Sequence, residues 1–232
     1  MEDNPTSPYG GGADYAGVDL AGADFAGVDL ARANFVFANL AGATLAGANL
    51  ARADLAYADV AYADLAHVDL TGANLAGAAL AYVNLTDATV DRANLAEARL
   101  ANAQLPGASL NRADLRGANL GYANLTNAVL VDANLVGAYL ARAHLAHADL
   151  RGAVLAGANI SSAVLTSANF IATNLADALL LGANFAGARW DSDTIWPARW
   201  ADQIRRGSRE REPGVFEVTA EHGAVVAGPP SS

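Results

Sequence analysis

The sequence predicts an all-β solenoid closed at one end by a short helix, and three observations predict it. First, from Ala13 to Trp190 every residue whose number is a multiple of five is large and apolar. It is Leu at most of them, from Leu20 to Leu180, and otherwise Tyr15, Phe25, Phe35, Val60, Val90, Ile160, Phe170, Phe185 or Trp190. Second, the residue two before it is Ala, or Val18, Val28, Val68 and Val83, with Thr173 the one polar exception. Third, a period of five suits no common regular structure. On an α-helix five residues turn through about 500°, which scatters the leucines around every side. In a flat strand an odd period sends successive leucines to opposite faces.

A chain that turns a corner every five residues satisfies all three. The apolar residue (position i) and the small one at i−2 point inward, while i−1, mostly Asp or Asn, and i+1 and i+2 face water. One turn of such a coil cannot bury its own apolar face, so stacking on the next is obligatory. Backbone groups then pair above and below at about 4.8 Å, and each buried leucine contributes about 1.5–3 kcal/mol.

The strings Ala73-Asn74-Leu75-Ala76-Gly77 and Ala118-Asn119-Leu120-Gly121-Tyr122 resemble the pentapeptide repeat family, and the unit recurs thirty-six times from Tyr15 to Trp190. The resemblance implies a right-handed quadrilateral β-helix with four pentapeptides per coil. That makes about nine coils, a rod of about 43 Å at the strand spacing. Around it the expected organisation is a disordered lead-in over 1–12, the solenoid over 13–190, a cap with a short helix over 191–207, and a flexible tail or short hairpin over 208–232. The segment from Thr194 to Trp200 also resembles the T-x-W-P-x-x-aromatic stretch that follows the last coil in bacterial members. Pro197 suits a first helical position and Gly207 a stop, which predicts a helix over about 197–206. Ser208 to Pro213 reads as a charged linker, and a hairpin across Glu221-His222-Gly223 is the ordered alternative for the tail.

Composition narrows the function. The chain of 232 residues carries a net charge of −10, with 14 basic residues that are all Arg. That balance argues against direct nucleic-acid binding, which needs basic excess to neutralise phosphates. With no cysteine there is no disulfide framework or thiolate metal site. No run of eighteen apolar residues encodes a membrane span, and the acidic N-terminus is unlike a secretory signal, so a cytoplasmic bacterial protein is expected.

Stacking places residues twenty apart side by side, so columns carry the candidate sites. Asn127, His147 and Ser167 share a column with the residue types of an orienter, a base and a nucleophile, but on an open wall without a pocket or oxyanion donors, so catalysis is not expected. His144, His147 and Asp149 have metal-ligand types, but their spacing at a coil corner does not converge on the four ligands zinc needs. Neither a metal nor a cofactor is expected, and the chain reads as a non-enzyme.

The i−1 residues of the first coil, Asp14, Asp19, Asp24 and Asp29, and of the third, Asp54, Asp59, Asp64 and Asp69, form two acidic rings. They read as a solvated surface with corner support, or, as relatives that mimic DNA imply, as a phosphate-like surface for DNA gyrase or another type II topoisomerase. Against mimicry stands the basic column Arg32, Arg52, Arg92 and Arg112, together with the absence of loop insertions. Tyr62, Tyr82, Tyr122 and Tyr139 share one face, with Phe37 and Tyr57 on the adjoining one. Tyrosine is enriched in binding hot spots and also stabilises strand ladders. The leading expectation is a scaffold whose flat walls, through these tyrosines and the arginine column, contact a protein partner. At the C-terminal end Leu179 and Leu181 face outward. Trp196, Trp200 and Ile204 are expected either to cover them as a cap or to form a dimer contact with them, leaving the chain a monomer or a C-terminal homodimer.

Overall fold

A computed structural model describes residues 12–224. Its framework is a series of parallel single-residue bridges between i−1 positions twenty residues apart, from Asp14 with Asn34 to Asn169 with Arg189. Four five-residue rungs therefore make one turn of the coil. Each rung is tied on both sides. The Asn34 N–H donates down to the Ala13 carbonyl at 2.9 Å, and the Phe35 N–H donates up to the Asp54 carbonyl at 2.6 Å.

The corners explain how so short a rung can turn. At each one a three-residue link closes, as where the Ala33 N–H donates to the Leu30 carbonyl at 3.0 Å. The i+2 residue takes positive φ, including Arg32 at 61° and Tyr62 at 60°. For a side chain other than glycine this conformation costs about 1–3 kcal/mol. The N–H of the same residue is bonded up the stack, Arg32 to the Ala51 carbonyl at 2.9 Å and Tyr62 to Ala81 at 3.0 Å, so neighbouring coils hold the corner in place.

Inside, the leucine and alanine columns are dry: Leu55, Leu75, Leu115 and Leu135 are fully buried, as are Ala113 and Ala133. The polar exception is accommodated, because buried Thr173 donates its hydroxyl to the Leu150 carbonyl at 2.7 Å. Aromatic rings fill both ends. Tyr15 stacks on Phe35 at 4.9 Å near the first coil. At the other end Trp196 meets Phe170 at 5.7 Å and Phe185 at 5.3 Å.

Beyond the coils, β1 (Arg189–Asp191), α1 (Ala198–Arg206), β2 (Ser208–Glu212) and β3 (Val215–Val218) follow, and then a 3-10 turn over Ala220–His222. The helix begins one residue later than expected. Pro197 has ψ 133° and is the residue before the helix rather than its first member. Trp200 and Ile204, one turn apart, are its buried residues.

The charged stretch at 208–212 is a strand, not a linker. β3 lies between β1 and β2, antiparallel to both. The hairpin accordingly closes at Pro213-Gly214, where Gly214 has φ 78°, and not across Glu221–Gly223. The reason lies in the alternation of the two strands. Arg209 and Arg211 both reach Glu217 on one face, at 3.3 and 2.8 Å, while Val218 is buried. The Arg211 hydrogen bond is the main cause holding the Glu217 carboxyl below its usual range, against a smaller opposing effect of burial. Of the predicted lead-in only Gly12 lies within the described residues, and its N–H already donates to the Arg32 carbonyl at 3.1 Å. The last eight residues of the predicted tail also lie outside them.

Candidate interaction surface

The candidate contact residues stand mainly at corners, not on flat walls. Each five-residue step devotes i+1 and i+2 to the turn. Tyr62, Tyr82 and Tyr122 and all four arginines of the basic column therefore occupy positive-φ corner positions. Tyr139 differs: it is an i−1 residue, bridged to Asn119 and Asn159 within a rung.

The aromatic residues fall into separate groups. Tyr62 and Tyr82 stack at 5.0 Å with planes 3° apart, and Phe37 and Tyr57 stack at 5.3 Å and 13°. The rings stay open to solvent, with Phe37 65% and Tyr62 68% exposed. Asn102 interrupts the column, so Tyr122 joins no tyrosine stack. Arg142, one coil on, lies over its ring at 5.5 Å and donates to its hydroxyl at 2.9 Å. The sequence reading missed Arg142, although its place twenty residues beyond Tyr122 would have found it. Glycine makes room for two rings. A Cβ at Gly77 would meet the Tyr57 ring at 2.6 Å, and one at Gly121 would meet the Tyr139 ring at 2.8 Å.

The arginine column is less basic than its sequence suggests. It runs into Asp132, which pairs with Arg112 at 3.5 Å. A shallow polar recess of about 240 Å³ there is lined by Asp91, Arg92, Asn111, Arg112, Val131 and Asp132. Asp91 accepts from the Ser109 hydroxyl at 2.6 Å and from the Asn111 N–H at 3.0 Å.

The aspartate rings have a structural task. All eight accept a hydrogen bond from the backbone N–H two residues on, as Asp54 does from Ala56 at 3.0 Å and Asp69 from Thr71 at 2.8 Å. The same oxygen often accepts from the asparagine one coil above, Asp14 from Asn34 at 2.9 Å and Asp64 from Asn84 at 2.8 Å. An Asp-to-Asn ladder thus runs up the wall and ties each corner to the next coil. The four carboxylates of the first coil remain exposed.

At the C-terminal end the cap does not cover the outward leucines. Trp196, Trp200 and Ile204 are buried, closing the end of the apolar column, while Leu179 and Leu181 stay 49% and 51% exposed. The indole nitrogens of Trp196 and Trp200 are shielded without an acceptor among the described residues. Any contact with a second chain at this end would therefore fall on Leu179 and Leu181 and not on the tryptophans. A latch that the sequence reading did not notice completes the end. The Asp191 carboxylate accepts from the N–H groups of Ala172 and Thr194, each at 3.0 Å, and from the Thr194 hydroxyl at 2.9 Å. Burial opposes its ionisation, but these N–H and hydroxyl donors together hold its carboxyl below the usual range. Beside it, an apolar recess of about 340 Å³ is lined by Trp190, Ser192, Arg205, Ser208, Glu210 and Phe216.

Among the described residues no three His, Cys, Asp or Glu side chains converge as metal ligands. No helix there is long and apolar enough to cross a membrane. Asn127, His147 and Ser167 occupy successive positive-φ corners, and no hydrogen bond joins their side chains.

The family described as Pentapeptide repeats matches in eight copies, over residues 11–36, 33–72, 61–96, 93–132 and 133–170. The chain is similar to the crystal structure of HetL, a pentapeptide repeat protein involved in heterocyst differentiation regulation from the cyanobacterium Nostoc sp. strain PCC 7120. Identity is 33% over 78% of this chain and 92% of that one, with a TM-score of 0.61. Two further matches are alr5209, a pentapeptide repeat protein from Nostoc PCC 7120, and QnrB1, a plasmid-mediated fluoroquinolone resistance protein. The first shows 36% identity over 38% of this chain and 74% of that one, at a TM-score of 0.38. The second shows 19% identity over 69% and 78%, at 0.49. No curated protein sequence matches the chain.

Proposed function

Because the chain belongs to the pentapeptide repeat family, we propose that it is a non-enzymatic scaffold, a right-handed quadrilateral β-helix of nine coils, that binds a protein partner through its corner side chains. The observation that carries this reading is the pair of exposed aromatic stacks, Phe37 with Tyr57 and Tyr62 with Tyr82. Rings already fixed on a hydrogen-bonded corner lose little freedom on docking, and aromatic anchors of this kind dominate protein interfaces. Arg32, Arg52 and Arg92 offer guanidinium groups to an acidic partner from another corner.

The test compares capture from host extract by the intact protein and by the Tyr62→Ala/Tyr82→Ala variant. A partner retained by the first and weakened by about thirty-fold or more on the second, the loss of roughly 2 kcal/mol typical of a hot spot, supports the reading. A capture profile identical for both would sink it.

A second reading is mimicry of DNA towards a type II topoisomerase, favoured by the four exposed carboxylates of the first coil. A supercoiling assay with purified DNA gyrase decides it, since no effect at large molar excess removes this reading.

A further inference from the structure

The two aromatic stacks stand on successive corners of the coil and share the wall between them. Tyr57 and Tyr62 turn the two ends of one rung, with φ of 58° and 60°, and Asp59 lies between them. One coil below, the same wall carries Phe37, Asn39 and Gly42, and one coil above it carries Gly77, Ala79 and Tyr82. The bridges from Asn39 to Asp59 and from Asp59 to Ala79 fix this register. The Tyr57 ring reaches up over Gly77, where a Cβ would meet it at 2.6 Å. Half-buried Ala79 is therefore the floor of a trough, with the Tyr57 ring on one side and Tyr82 on the other. The wall between the corners is about 10 Å wide, three strand residues at about 3.3 Å each. One coil further up stand Glu97 and Arg99, one charge of each sign.

Asp59 is unlike the other ring aspartates. Asp14, Asp19, Asp29, Asp54 and Asp64 each accept a side-chain amide from the asparagine one coil above. Thr44 and Thr89 stand above Asp24 and Asp69. Above Asp59 stands Ala79, which brings no polar side-chain atom. The Asp59 side chain is exposed, and among the described residues its one hydrogen bond is from the Ala61 N–H to Oδ1 at 3.1 Å. That leaves Oδ2 and a lone pair of Oδ1 for a donor from outside.

Resting on the scaffold reading above, we propose that this trough takes an arginine side chain of the protein partner. A guanidinium lies flat against aromatic faces while donating two parallel N–H bonds to a carboxylate. Cation and ring attract within about 6 Å of the ring centroid, and a group midway across a wall of about 10 Å is close to both sides. The coil already contains this pairing at Tyr122, where Arg142 lies over the ring at 5.5 Å. An apolar anchor fits the trough poorly, because it would bury the Asp59 charge without a partner. An anion is repelled by Asp59 and by the negative faces of the rings. A lysine brings a point charge and not the planar fork.

The probe is an N-acetylated, C-amidated Gly-Arg-Gly peptide, titrated into the full-length protein and followed by amide and aromatic NMR shifts. Saturable shifts are expected at Tyr57, Asp59, Tyr62 and Tyr82. The corresponding citrulline peptide, neutral and of the same shape, is expected to bind about tenfold more weakly or worse, and the lysine peptide about threefold more weakly. Asp59→Asn keeps the oxygen that accepts the Ala61 N–H, so the corner is preserved, and it is expected to weaken the arginine peptide by about tenfold or more. Equal binding of the arginine peptide and either other peptide, binding unchanged by Asp59→Asn, or shifts of the same size at the other acidic rings overturns the proposal. Self-association of the protein that Asp59→Asn abolishes also overturns it, because the occupant would then be a second copy of the chain. None of these results depends on whether Tyr62→Ala/Tyr82→Ala loses the partner captured from extract, so the scaffold reading stands or falls by its own test.

Discussion

Leu115→Ala probes the buried column at mid-rod. Leu115 is fully buried, with Leu95 below and Leu135 above it at the same rung. Removing three side-chain carbons forfeits about 2.4 kcal/mol at about 0.8 kcal/mol per buried methylene. The space left cannot close easily. The coils above and below are fixed by the hydrogen bonds of Leu95 to Asp114 and of Leu115 to Asn134, both 2.7 Å, so the leucines cannot slide together. A cavity term therefore adds to the transfer loss, and about 3–4.5 kcal/mol is expected, in the upper part of the range for Leu→Ala. The comparison is Leu20→Ala in the first coil, where the side chain is only half-buried and about 1–1.5 kcal/mol is expected. Urea unfolding followed by far-ultraviolet circular dichroism measures both, through the shift in midpoint at constant slope. A loss below about 1 kcal/mol at Leu115, or equal losses at the two sites, would refute the dry, rigid column.

Three further outcomes follow from named contacts. Asp191 has a folded-state pKa below its ordinary value, so its latch stabilises the protein above the unfolded pKa, and that contribution disappears as pH falls through the folded one. The unfolding free energy of Asp191→Ala, measured by urea titration at a series of pH values, should therefore fall less steeply than that of the parent below about pH 4, and an unchanged profile would exclude the latch. Asp54→Ala should lose about 1 kcal/mol by freeing the Ala56 N–H and the Asn74 amide, whereas Asp54→Asn, which keeps an acceptor oxygen, should stay within about 0.5 kcal/mol. Thermal unfolding separates the two, and it also establishes whether Asn swaps in the acidic rings are structurally silent in a gyrase assay. Trp200→Ala should cost about 3–5 kcal/mol through a cavity under α1, seen as faster amide exchange in the cap while exchange at the first coils stays unchanged.

Much of the candidate surface was visible as columns of residue numbers, and its geometry was not. The positions of Tyr62 and Tyr82 twenty residues apart place them on adjacent coils, but only the structure shows the rings parallel at 5.0 Å and held on corners. The arginine column, interrupted at Gly72, is followed one coil beyond Arg112 by Asp132, and only the structure shows the two paired. The acidic rings read as a solvated surface with corner support, and all eight carboxylates accept a corner N–H, because the residue before the inward leucine is also the one that closes the turn.

Which residues face inward and where the coil bends are legible in the residue order alone, because both follow from a five-residue period that repeats within arm's reach of each residue. That order did not determine how the end of the coil is closed. The strand at Ser208–Glu212, the turn at Pro213-Gly214, and the pairing of Ile195, Gly223 and Val218 with the rungs at Leu175, Phe185 and Trp190 come from the tertiary structure. A terminal coil offers several equivalent rows of unpaired N–H and carbonyl groups. Which row a later segment takes depends on where the chain emerges from the cap and on the charge pairs, such as Arg211 with Glu217, that form only once it arrives.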